Sequence, residues 1–189
     1  METKRLIIIL FVFFAAIPEN ARSQNDIIKA GLIRTQGTIS FSDMLNSGNS
    51  YFYLHGNMEA YFNNKISFCG DAYAYMGALN GVSDFAYNHN IFLGFLYHLT
   101  QKQNDTYLGF QPGMAFTRLN ENKFLLTHSQ AGINPEFSLV LGNNYYINPY
   151  FHFFVQGRLI VGSHNYNVHQ NLSEFRFSAG LGFNINTLK

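Results

Sequence analysis

Residues 51–62 read YFYLHGNMEAYF. Phe52, Leu54, Gly56, Met58, Ala60 and Phe62 are apolar or small, and Tyr53, His55, Asn57, Glu59 and Tyr61 between them are polar or amphipathic. A period of two belongs to a β-strand, whose successive side chains point to opposite faces. The run is long for a soluble strand, which is usually about 5–6 residues, and matches the about 9–11 that a tilted strand needs to cross a membrane.

The same pattern recurs along the chain. Alternating segments fall near 31–42, 51–62, 66–76, 85–99, 107–117, 130–141, 150–161 and 174–185, separated by turns rich in Asn, Gly, Asp and Ser. The segment at 85–99 is apolar on both faces around Ile91–Leu96, so its orientation stays open. No Lys, Arg, Asp or Glu stands on the apolar face of the segments; Arg34, Glu59, Asp71, Glu136, Arg158, Glu174 and Arg176 all fall on the other. Eight such strands predict an all-β fold: an eight-stranded antiparallel up-and-down barrel.

Composition narrows the setting. Of 189 residues, 47% are hydrophobic, 17% aromatic and only 12% charged. That is about half the charge of an ordinary soluble domain. The aromatic content excludes disorder, and the net charge of +1 leaves no basic surplus for nucleic acid. One cysteine, Cys69, excludes an intrachain disulfide.

At the N-terminus, Lys4 and Arg5 precede an apolar run from Leu6 to Ile17, too short to span a bilayer as a helix. Ala21 and Ser23 then supply small residues at a cleavage site. We read residues 1–23 as a cleaved signal peptide and 24–189 as one barrel domain. Cleavage leaves equal numbers of acidic and basic residues.

Alternation alone does not say which face is outside. A soluble barrel would point its apolar face inward around a ligand; a membrane barrel would point it at lipid. Sparse charge favours lipid. So do Phe41, Phe52, Phe62, Phe116, Phe151, Phe175 and Phe183 near the strand ends, as aromatic girdles. Connections also alternate in length. Asn63-Asn64 and Gln101–Asp105 are short, whereas Asp43–Ser50, Gly77–Asp84, Asn120–His128 and Gly162–Ser173 are longer. Gly142–Pro149 is long for its place. Pro112 and Pro135 lie inside strands, where a bulge at each is expected.

The layout resembles the small eight-stranded outer-membrane barrels of the OmpA/OmpX type. Its wording is similar to barrel proteins of the Bacteroidetes in Tyr53-Leu54-His55-Gly56, Gly109-Phe110-Gln111-Pro112-Gly113, Tyr150–Gln156 and Phe177–Phe183. The resemblance implies residence in the cell outer membrane, contact with its lipid, and insertion by the barrel-assembly machinery. It implies no activity. Such barrels often end on an aromatic residue, whereas this chain ends Asn186-Thr187-Leu188-Lys189, so Phe183 or Ile185 would have to serve.

Among chemical constellations, the seven inward charges rank first. A hairpin centred on the 43–50 loop sets Arg34 opposite Glu59, and Asp71, Glu136, Arg158, Glu174 and Arg176 complete a mixed-sign lumen network. An eight-stranded barrel is just wide enough for side chains to fill, so a plug is expected rather than a pore. Seven histidines show no tight ligand spacing, and no cofactor or metal is predicted. His128-Ser129 resembles a stretch of outer-membrane lipid A deacylases, but adjacent strand residues face opposite ways, so the pair lacks base–nucleophile geometry. The sequence therefore predicts a non-enzymatic outer-membrane barrel acting through its outer loops, with surface ligand unknown. A lipid-modifying membrane enzyme and a secreted barrel with an apolar ligand inside are the alternatives.

Overall fold

Alternation of this length commits each segment to an extended ladder, and a sheet of long twisted strands removes its edges by closing. A computed structural model describes residues 27–81, 83–100, 102–125, 128–166 and 168–188. The signal-peptide reading of residues 1–23 and the start of the domain at 24 lie outside the described residues. The strands are β1 (Leu32–Met44), β2 (Ser50–Tyr61), β3 (Ile66–Ala78), β4 (Phe85–His98), β5 (Asn104–Leu119), β6 (Gly132–Tyr146), β7 (Phe151–Asn165), β8 (His169–Asn171) and β9 (Glu174–Asn186). One short helix, α1 (Glu121–Phe124), follows β5.

Each long strand pairs antiparallel with its sequence neighbour, β7 pairs with both β6 and β9, and β9 returns to β1. This is a closed eight-stranded antiparallel barrel; β8 is a satellite on the end of β7. The connections at 62–65, 99–103 and 147–150 share one end with the start of β1 and the end of β9; we call it the turn end. The connections at 45–49, 79–84, 120–131 and 166–173 form the loop end. The connection expected over Gly142–Pro149 shrinks to 147–150, because β6 runs on to Tyr146.

The apolar face is outside. Leu54, Met58, Phe95, Phe110, Phe137, Leu139, Phe153 and Phe183 are exposed side chains on strand after strand. β4, left open by its sequence, turns Ile91, Leu93, Phe95 and Tyr97 outward and Asn88, Asn90, Phe92, Leu96 and His98 inward. An inward-facing ligand barrel required Phe137, Phe153 and Phe177 to converge inside; Phe137 and Phe153 are instead about half exposed, at 53% and 52%. An aromatic pair sits near each end. Phe41 and Phe52 meet edge-on at 5.0 Å near the loop end, and Phe151 and Phe183 at 5.0 Å near the turn end.

Neither proline creates a bulge. β5 and β6 hold one register from Asn104↔Tyr145 to Thr117↔Gly132, through Pro112↔Phe137 and Met114↔Pro135. The β4–β5 ladder pauses opposite Pro112, between Phe92↔Gly113 and Phe95↔Phe110, without shifting. Pro135 lies just past Glu136↔Gly162, where β6 and β7 part. The bulges fall elsewhere, between Phe52 and Tyr53 on the β2–β3 ladder and between Phe85 and Tyr87 on β4–β5, both near the loop end. The first sits beside Gly77, whose φ of +148° is one that L side chains rarely adopt.

Candidate functional site: a stratified lumen

The polar face of each strand, turned inward by closure, carries charges that must be paired to be buried. The structure places Arg34, Glu59, Asp71, Glu136, Arg158, Glu174 and Arg176 in the lumen, each at 2% exposure or less. They form three levels rather than one continuous network.

Nearest the turn end, Arg34 on β1 pairs with Glu59, its register partner on β2. Its other amino group donates to the Tyr146 hydroxyl at 3.2 Å and lies 3.5 Å from Asp105. His98 bridges the two acids, with Nε2 3.0 Å from Glu59 Oε1 and Nδ1 2.9 Å from Asp105. Arg34 also lies over the Tyr61 and Tyr107 rings at 5.6 and 5.4 Å.

At the middle level, Arg158 on β7 reaches across to Asp71 on β3 at 2.7 Å and donates to Ser138 at 2.8 Å and to the Gln111 side-chain oxygen. His55 Nε2 stands 2.8 Å from Asp71, its ring stacked on Tyr73 at 4.2 Å. Cys69 donates its thiol to Asp71 at 3.4 Å and is buried.

Nearest the loop end, Arg176 pairs with Glu174 on its own strand and donates to the Asn90 amide oxygen at 2.6 Å. Asn90 in turn donates to Glu136 at 2.9 Å, and Ser42 donates to Glu174. The Arg176 guanidinium lies 3.7 Å from the Tyr53 ring centroid and 4.5 Å from that of Tyr73.

Beyond the levels, apolar clusters close both ends of the lumen. Met44, Tyr51, Phe85, Phe92, Leu119, Ile160 and Leu172 pack inside the loop end, with Phe124 of α1 and Val168 against them. Ile28, Leu32, Tyr61 and Tyr146 close the turn end. In the loop half, this apolar and aromatic cluster shares the lumen with buried Asn88, Thr117, Asn134 and His164.

Sequence reasoning missed Asp105, which it left in a turn. Stepping back by two from Gln111 through Gly109 and Tyr107 would have put it on the lumen face. His164, at the loop-end tip of β7, also points inward, with Nδ1 2.7 Å from Thr117 Oγ1. His128 and Ser129 do not form a pair. The His128 side chain is 81% exposed and faces Glu121 at 3.9 Å, while Ser129 Oγ is buried without a hydrogen-bond partner. Among the described residues, no group of three or more His, Cys, Asp or Glu side chains is arranged to hold a metal ion.

Outside the barrel wall, Asp84 anchors the loop end. It accepts from Asn49 at 2.6 Å and from the Tyr51 hydroxyl at 2.8 Å, and it pairs with Lys123 of α1. Burial alone would raise its carboxyl; the bonds from Lys123, Tyr51 and Asn49 override that and hold it below the usual carboxylate range.

No protein-family model matches the sequence, and a search of curated proteins returns no match. Solved structures do match. The outer membrane protein OprG of Pseudomonas aeruginosa aligns with a TM-score of 0.66 at 15% identity, over 84% of this chain and 98% of that one. Neisserial surface protein A aligns at 0.63 and 16%, over 82% and 96%. The N-terminal β-barrel domain of Pseudomonas aeruginosa OprF aligns at 0.61 and 12%, over 82% and 98%. At such identities the likeness is one of fold: this chain folds as outer-membrane barrels do.

Proposed function

We propose that the protein is an integral outer-membrane barrel without enzymatic activity, exported by residues 1–23 and inserted by the barrel-assembly machinery. Its lumen is a structural plug, and its business with other molecules is done at the loop end, as adhesion, surface binding or envelope structure. The observation that carries this reading is the filled lumen: three ion-paired levels and two apolar closures leave the interior to side chains. The outward apolar face and the likeness to solved outer-membrane barrels support the location. Loops 120–131 and 166–173 are the longest connections at the loop end, and we assign the outward contacts to them.

The test pairs two measurements. On a gel of the outer-membrane fraction, the unboiled protein should migrate differently from the boiled one, as closed barrels do. In planar bilayers, the purified protein should show no sustained conductance. A soluble periplasmic protein with no mobility shift would defeat the location, and steady channels would defeat the plug.

A further inference from the structure

The β6–β7 ladder stops short of both strand tips. Its last pair is Glu136↔Gly162, yet β6 begins at Gly132 and β7 runs on to Asn165. The tips keep their other neighbours: β6 stays on β5 as far as Thr117↔Gly132, and residues 163–165 pair with β8. A seam therefore opens in the wall at the loop end. Its cause is Pro135. Alternate residues of a strand send their N–H and C=O to the same side, and Ile133 sends both toward the end of β7. Pro135, two residues on, has no N–H to send.

One side chain takes the missing ladder's place. Tyr166, the residue after β7, accepts the Ile133 N–H at 3.0 Å and donates its hydroxyl to the Ile133 carbonyl at 3.0 Å. Its ring lies across Gly132, where a Cβ would stand 2.0 Å from the ring, so the closure requires glycine there. Tyr166 is 42% exposed, and water competes for both hydrogen bonds. On the lumen side of the seam stand two buried atoms without hydrogen-bond partners. Glu136 Oε1 lies over Gly162, 3.1 Å from where a Cβ would be; Asn90 donates to the other oxygen. His164, two residues beyond Gly162 on the same face of β7, is fully buried. Thr117 and Asn134 hold its Nδ1, and its Nε2 has no partner. Its ring lies 5.0 Å from that of Tyr166. Buried polar atoms of this kind are ordinarily satisfied by water.

We propose that Tyr166 is a latch on a side port: when its hydroxyl releases Ile133, the seam opens and water or another small protic molecule reaches Glu136 and His164. The ligand class follows from the two atoms, since water donates to a carboxylate oxygen and pairs with an imidazole nitrogen in either tautomer. The port reaches the loop-end level alone, so the middle and turn-end levels still close the lumen. The latch is made of hydrogen bonds within the wall and stands independently of the membrane reading.

The experiment compares the full mature barrel with its Tyr166→Phe and Gly132→Ala variants. Phenylalanine keeps the ring and removes both hydrogen bonds; alanine pushes the ring off the seam. Two readouts are taken by mass spectrometry at one pH: hydrogen exchange in D2O across residues 128–173, and carbethoxylation of His164 by diethyl pyrocarbonate. Unboiled mobility on a gel checks that each variant is folded. In both variants, exchange in the peptide holding Ile133 and reaction at His164 should rise together, each by about tenfold, while residues 137–159 stay unchanged. Unchanged exchange and labelling in Tyr166→Phe overturns the proposal. So does faster exchange without faster labelling, which makes Tyr166 a loop fastener and no port. Exchange that rises equally along all of β6 and β7 marks a loosened barrel and overturns it too. None of these results bears on the membrane reading, which the gel and bilayer tests decide.

Discussion

At the residue scale, the lumen charges depend on one another. Arg158 holds Asp71, Gln111 and Ser138 together, and removing it strands a buried carboxylate. Arg158→Met should lower unfolding stability by about 3–5 kcal/mol, read by urea titration of the reconstituted barrel. Adding Asp71→Asn should return part of that loss, because the uncompensated charge goes with it. If the double variant is no better than the single, packing of the guanidinium over Phe92 at 4.9 Å outweighs the ion pair. Close approach sets a second constraint. A Cβ on Gly109 would meet the Leu96 side chain at 2.3 Å and the Phe95 carbonyl at 2.8 Å, and backbone cannot step aside. Gly109→Ala should cost about 1–3 kcal/mol in the same titration. The Arg34–Glu59 pairing was readable from the hairpin register. The Arg158–Asp71 pairing was not, since β7 and β3 lie across the lumen from one another and no ladder joins them.

At the element scale, each strand has an outward apolar side and a lumen side. Phe137, half exposed and midway along β6, tests the first. Phe137→Arg should cost about 2–4 kcal/mol if its side chain faces the bilayer midplane, and a cost near zero would deny the lipid contact. The loops obey ordinary aqueous electrostatics. Asp84 ties α1 to the mouth through Lys123, and its carboxyl is held below the usual value of about 3.8–3.9. A carboxyl so depressed in the folded state contributes stability that is present above its unfolded pKa and lost as pH falls through the folded one. Hydrogen exchange in residues 120–125 should therefore be insensitive to this group from pH 7 to about 4 and rise below that. Asp84→Asn should exchange faster already at neutral pH and lose the acid dependence. This tether was not legible in the sequence: Asn49, Tyr51, Asp84 and Lys123 come from three separate connections and strand ends that meet only when the barrel closes.

At the scale of the whole molecule, the barrel is a wall with an apolar outer face around a second, internal core. Its outer surface is apolar with an aromatic pair near each end; its interior is stratified into ion pairs and capped by aromatic side chains. The sequence by itself determined strand identity, the number of strands in the barrel, and which side chains share a face, because a period of two is a local property of extended backbone. Low charge and the aromatic ends then favoured lipid outside. Only the tertiary structure decided which charges of distant strands meet, that Asp105 joins them, that the prolines sit in an unshifted ladder, and that an apolar cluster closes each end of the lumen. Those facts depend on the closure and stagger of the barrel. They fix which residues of distant strands stand at one height, and that height is not written in the alternation of any single strand.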